Sequence, residues 1–193
     1  MQTWLRPERS GSRARWPNLH LDVRSEADVE RHLNLVRRAA ARTRVWIAGH
    51  RGDPLDLLRD LKFEQVGFHP VEDRALNVIE QINQTWTYAV ALLAVRKLFE
   101  LHPEVGHYRV APGAHMSLEL DIMSAEPSLI GAETFAAVDP GNNRKLNKDL
   151  AKMAERSERH RYIFFASPKF PGTHRLPKLE RSGTQVWSID LDA

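Results

Sequence analysis

The sequence predicts an α/β protein whose main body is a three-layer core. Two observations carry this. Between residues 73 and 167 the patterning reads helix, strand, strand, strand, helix, strand. The chain of 193 residues, 42% hydrophobic and 27% charged, can also bury one sizeable core with an appendage. Residues 1–72 are expected to hold an N-terminal arm and a small α/β extension, and residues 73–193 the α/β core with a basic C-terminal segment.

Taken in order, residues 1–19 mix Arg, Ser, Gly and Pro with Trp4 and Trp16 and show no period, so they read as an arm. Ser25 and Asp28 mark a helix start, and Val29, Leu33, Val36 and Ala40 recur at helical spacing, predicting a helix over about 26–42. The run from Arg44 to Gly49 reads as a short buried strand. Asp53-Pro54 is a cap followed by proline at the first helical position, predicting a helix to about Leu61. Residues 63–68 suggest another strand.

From Asp73 a long helix is expected, ending at His102-Pro103, with Leu76, Ile79, Ile82, Trp86, Val90, Leu93 and Leu98 as its apolar stripe. Glu80, Asn83, Gln84 and Thr87 form a second, polar stripe. Strands follow over 108–111, 116–124 and 129–138, separated by Pro112-Gly113 and Glu126-Pro127. Asn142 or Asn143 is expected to cap a helix running through Leu146, Leu150 and Met153 to about His160. Residues 162–166 and 186–191 complete the strands. Trp86 and the Phe164-Phe165 pair are expected in the core.

Composition excludes several function classes. With no cysteine, there is no disulfide scaffold, thiolate zinc site, iron–sulfur cluster or thiol catalysis, so any metal must be held by oxygen or imidazole. The longest apolar run, Trp86 to Val95, is far short of the roughly 20 residues that span a bilayer. The start lacks the apolar stretch of a secretory signal. A soluble, cytoplasmic protein is expected. The net charge of +3 is small but uneven: between Gly141 and Gln185 eleven Lys and Arg face four Asp and Glu. That basic third, with Arg6, Arg9, Arg13 and Arg15 in the arm, suits a polyanion, or else a solvated face.

Two carboxylates stand out. Strand alternation puts Leu118, Leu120 and Ile122 on one face and Asp121 on the other, and it places Glu133 with Phe135 in a strand otherwise made of small and apolar residues. A carboxylate there is costly unless it is paired, protonated or bound to a cation. If the strands are neighbours, Asp121 and Glu133 can converge on a hard cation such as Mg²⁺. The alternative is that Glu133 pairs with a core lysine or arginine while Asp121 lies at an exposed edge. His50, His115, Ser117, Ser124 and Ser167 lack the spacing of a metal site or a nucleophile elbow.

The aspartate on the second core strand, the glutamate about a dozen residues later and the helix carrying Asn-x-Lys-Leu-x-Lys-Asp-Leu together resemble the PD-(D/E)XK nuclease superfamily over roughly residues 73–168. The resemblance implies the restriction-endonuclease-like fold and a metal-dependent endonuclease hydrolysing nucleic-acid phosphodiesters. It makes Asp121 and Glu133 ligands of Mg²⁺ (or Mn²⁺), with Glu80 from the first core helix as a further ligand, and Gln84 a group orienting water or substrate. One departure bears on activity: the family's lysine two residues after the glutamate is Phe135. Some members take that lysine from the following helix, where Lys145 and Lys148 stand. The implied partner is nucleic acid, DNA before RNA, its backbone held by Arg144, Lys152, Arg156, Lys169, Arg175 and Lys178. No membrane partner is implied, and a homodimer is compatible. The other outcome is an inactive nuclease-fold module binding nucleic acid or a protein.

Overall fold

The computed structural model describes residues 20–113 and 118–192. Arg6, Arg9, Arg13, Arg15, His115 and Ser117 lie outside the described residues. The chain runs β1 (Leu21–Val23), α1 (Glu26–Gly49), α2 (Pro54–Phe63), β2 (Gly67–Phe68), β3 (Ala75–Leu76), α3 (Val78–Leu101), β4 (Tyr108–Val110), β5 (Ile122–Ser124) and β6 (Ile130–Ala136). Then come a 3₁₀ turn (Asn142–Arg144), α4 (Lys145–Ala154), β7 (His160–Ala166), β8 (His174–Arg175), a 3₁₀ turn (Pro177–Leu179) and β9 (Thr184–Ser188). The expected order of helix, strand, strand, strand, helix, strand is therefore present.

Among the described residues seven strands form one mixed sheet, ordered β1-β4-β5-β6-β7-β9-β8. Pairing is antiparallel from β1 to β6, parallel through β6, β7 and β9, and antiparallel again at β8. Tyr162, Phe164, Ile130 and Ala132 pack on α3 and α1 through Leu92, Val95, Leu98, Val29, Leu33 and Val36. On the other face Ile163, Phe165 and Phe135 meet Leu146, Leu150 and Met153 of α4. Helices on both faces explain why β7 reads as a continuous apolar run, since alternate residues enter different cores. Residues from the expected N-terminal extension share the first of these cores, and β1 pairs directly with β4.

Several expectations are corrected. Residues 44–49 are the last turns of α1, with Val45 69% exposed. β-branched side chains cost a helix only a few tenths of a kcal/mol, and Thr43, one turn earlier, anchors α1 by donating 2.5 Å to Gln81 Oε1. The expected strand at 63–68 shrinks to Gly67–Phe68, paired with Ala75–Leu76, so α3 starts at Val78 under an Asn77 cap. The stripe assigned to its first turns is inverted. Ile79, Ile82 and Trp86 are exposed, while Gln81 is buried, also accepting from Phe68 N at 2.9 Å. Further along, α3 is apolar all round because α1 and the sheet enclose it. The N-cap position of the last core helix is taken by Arg144, whose side chain makes no cap bond; Asn143 and Arg144 turn into the helix through left-handed conformations (φ 53° and 56°), and it stops at Ala154, so His160 belongs to β7. None of the helices among the described residues is long and apolar enough to cross a membrane.

Candidate active site

Asp121 immediately precedes β5, and Glu133 sits on the neighbouring β6. The ladder between these strands is recorded only at Ile122↔Ala132 and Met123↔Gly131. Beyond it the Asp121 side chain takes over: its Oδ2 accepts from Thr134 N at 2.8 Å and from Thr134 Oγ1 at 2.9 Å. On the other side the Asp121 carbonyl accepts from Ala111 N at 2.9 Å. Asp121 is thus fastened to both flanking strands and is buried, which overturns the alternative of an exposed edge.

Glu133 points to the α4 face with Phe135, as alternation requires, and is also buried. Its Oε1 accepts from Lys152 Nζ at 2.6 Å. That is the lysine pairing weighed from the residues alone, and it removes Lys152 from the freely exposed cations. Phe135 stacks on Phe165 with centroids 5.3 Å apart and planes 14° apart. Lys145 Nζ lies 5.8 Å from the Phe135 centroid and donates to Asp149 Oδ1 at 2.6 Å. Lys148, the other candidate for the displaced lysine, is exposed and has no ion-pair partner among the described residues.

Asp149 is the residue that the sequence reading missed. It is buried on the same helical stripe as Leu146, Leu150 and Met153, and its Oδ2 has no hydrogen-bond partner among the described residues. The signal was present, since an aspartate three residues after Leu146 and four before Met153 interrupts an apolar face.

The three carboxyls titrate above their ordinary range. Burial is the main cause for Asp121, opposed by the Thr134 bonds, the Lys145 charge and the Gly113 N–H. For Glu133 burial is again first, then the Asp121 charge, against the pull of Lys152. Burial also raises Asp149, opposed chiefly by Lys145 and aided by the Asp121 charge. Three acidic groups and two ammonium groups therefore share one low-dielectric region, one positive charge short of neutrality.

The donor set, all oxygen, suits a hard cation, and the acid excess is the feature such an ion would satisfy. Among the described residues no three carboxylate or imidazole groups are placed to share a metal, so an ion here would rest on Asp121 and Glu133 with waters completing its shell. Glu80, expected as a third ligand, is solvent-exposed in the first turn of α3. Gln84 is nearer: its Oε1 lies 3.6 Å from where a Cβ on Gly113 would stand, and Gly113 N–H serves Asp121.

Most of the expected phosphate-binding residues are engaged within the chain. Arg156 binds buried Glu158 at 2.6 Å and Glu119 at 2.5 Å, Lys169 binds Asp139, and Arg175 binds Glu180 at 2.6 Å. Arg144 and Lys178 are exposed without an ion pair among the described residues. No protein-family model, curated protein or solved structure matches the chain.

Proposed function

We propose that the protein is a divalent-metal-dependent phosphodiester hydrolase of the restriction-endonuclease-like fold. One observation carries the reading. Where Phe135 replaces the strand lysine, two lysines arrive from the following helix, Lys152 at 2.6 Å from Glu133 and Lys145 beside the Phe135 ring. Asp121 and Glu133 would hold Mg²⁺ or Mn²⁺, which when bound supplies Lewis acidity toward a phosphate oxygen. The chain's own groups supply the rest. Thr134 and Gly113 hold the Asp121 carboxylate in place, and Asp149 holds the Lys145 ammonium close to the site. That ammonium offsets charge growing on the phosphoryl oxygens as water adds to phosphorus and the P–O ester bond breaks. Gln84, beside Gly113, orients water or substrate. DNA is the proposed substrate before RNA, with Arg144, Lys148 and Lys178 as the cations free to meet its backbone.

A labelled-oligonucleotide cleavage assay with Mg²⁺ or Mn²⁺ tests this. Asp121→Asn and Glu133→Gln should abolish cleavage. Lys145→Ala or Lys152→Ala should lower kcat by about 10²-fold, the worth of one preorganised charge-stabilising group, and Lys148→Ala should leave it within about twofold. Absence of cleavage on every DNA and RNA tried would remove the enzyme. The tight stacking of Phe135 on Phe165 favours the second reading, in which the Glu133–Lys152 pair is structural and the fold serves as a binding module. That module would bind nucleic acid with an affinity falling steeply with salt, and metal would change nothing.

A further inference from the structure

The sequence assigns Trp86 to the core, yet the residue is 44% exposed. It stands on α3 two residues after Gln84 and forms one wall of a cavity of about 620 Å³ at the carboxyl ends of the parallel strands β6, β7 and β9. Ala136–Val138 and Ala166–Pro168 line it from the sheet, and Phe170 adds a second aromatic ring. Crevices at this end of parallel strands are the usual ligand positions of α/β sheets, and the volume is that of a small-molecule site. Along β6, Ala136 lies three residues, about 10 Å, beyond Glu133, whose side chain takes the other face of the sheet.

Charge decides what fits. Asp190 and Asp192 border the cavity, and one Asp190 oxygen accepts from Asp192 N at 3.0 Å while the other has no partner among the described residues. Two carboxylates repel phosphate but accept from the amino and imino N–H groups of a base. Next to Pro168 on the rim, Lys169 is paired with Asp139, so among the described residues the rim offers no unpaired cation and a phosphate must stay outside the cavity. Aromatic wall and acidic end together match one base, its face on Trp86 and its N–H edge toward Asp190, with the backbone left outside the cavity.

We propose that this cavity takes a single unstacked base of a single-stranded or frayed nucleic acid, stacked on Trp86 beyond the end of the strand that carries Glu133. The inference rests on the phosphodiesterase reading for its setting, and it makes single strands the preferred ligand. A base paired within a duplex cannot turn its face to the indole. Stacking on an aromatic side chain is largely independent of sequence, so the N–H groups met by Asp190 are what distinguish bases here.

Anisotropy with a labelled single strand of about 12 nucleotides, and with the matching duplex, tests this in EDTA, where no cleavage intervenes. The wild type should bind the single strand more tightly. Trp86→Ala should weaken that binding about tenfold or more and leave the duplex nearly unchanged, Trp86→Phe should recover most of the loss, and Ile79→Ala, exposed on the same helix, should have no effect. Because Trp86 is partly exposed, the variants should fold, and their melting curves check this. Trp86-dependent binding by a protein that cleaves nothing removes the enzyme and keeps the base site. Cleavage with binding indifferent to Trp86 removes the base site and keeps the enzyme. Loss of self-association on sedimentation in Trp86→Ala, without loss of oligonucleotide affinity, would make this face a contact between two copies and overturn the proposal, as would a wild type that binds no single strand.

Discussion

Glu133→Gln should make the folded protein more stable while removing the proposed hydrolase activity. The Glu133 side chain is 5% exposed, so its carboxylate bears a desolvation cost that amounts to several kcal/mol for a buried ion. Lys152 offsets part of that cost, and the charges of Asp121 and Asp149 add to it. A glutamine keeps the shape and an acceptor for Lys152 Nζ. It loses the charge assistance of that bond, about 1 kcal/mol, and sheds the burial and repulsion costs. Because burial outweighs the lysine in setting the carboxyl's upward shift, the balance should favour the amide by about 1–2 kcal/mol at neutral pH, or about 2–8 °C in Tm for a chain of this length. Linkage fixes the pH dependence. A carboxyl raised in the folded state contributes its full stability below its unfolded pKa and loses it as pH rises through the folded one, so the variant's advantage should be small in acid and grow toward neutrality. Urea melts of both proteins at several pH values measure it. A variant less stable than wild type by more than about 1 kcal/mol at neutral pH would refute the reasoning and make the Glu133–Lys152 pair a structural tie.

Arg156→Ala should strand Glu158, whose side chain is 2% exposed, and cost about 2–4 kcal/mol in denaturant melts, with little change in nucleic-acid affinity. The Arg156 bond is also the main cause that holds Glu158 below its ordinary range, so this part of wild-type stability is present above the unfolded carboxyl's pKa and lost as pH falls through the folded one. Gly131→Ala should destabilise by about 1–3 kcal/mol, because a Cβ there overlaps Leu120 Cδ1 and presses on Glu158 Cγ at 3.0 Å; a neutral result in thermal melts would mean that the β5–β6 pair yields easily. Phe135→Lys should not be a simple restoration of the strand lysine: it removes a buried ring and adds a third ammonium beside Lys145 and Lys152, costing about 3 kcal/mol or more, and a stable variant with higher cleavage would contradict this.

The sequence carried the order of core elements because most elements are bounded by proline or glycine punctuation and the strands are short apolar runs. It also placed Glu133 with Phe135 on one face of β6 by the alternation of side chains, but that alternation does not extend to Asp121, which lies just before β5 where Leu120 and Ile122 enter different cores. What it did not carry depends on which face of a helix is covered. Val45 and Ile47 look like strand residues, but they lie on the exposed end of a helix whose anchoring is done by Thr43, against a glutamine 38 positions away. Ile79, Ile82 and Trp86 have the spacing of a buried stripe, and only the arrival of Gln81 at Thr43 and Phe68 turns the helix the other way. Asp149 was hidden because a single polar residue on an apolar stripe reads as noise until its burial is seen. Lys152 was assigned to phosphate because basic side chains on a helix look alike in sequence, and the bond to Glu133 is long-range.

The pairing of β1 with β4 bears on how the chain comes to be folded during synthesis. Val23 is translated 85 residues before Tyr108, its partner in the sheet, a wait of about 4–17 s at ribosomal speed. Through that interval the strand has no neighbour, and the apolar side of α1 waits for a mate until the far end of α3 has been made. The antiparallel half of the sheet can close once residue 136 is out, whereas the parallel half needs β7 and β9, so the acidic cluster acquires its α4 lysines before its last strands are paired. Nascent chains halted before residue 108 should therefore bind a hydrophobic dye or a holdase chaperone, and those extended past β6 should shed it; dye binding that persists until β9 is complete would show that the two halves condense together.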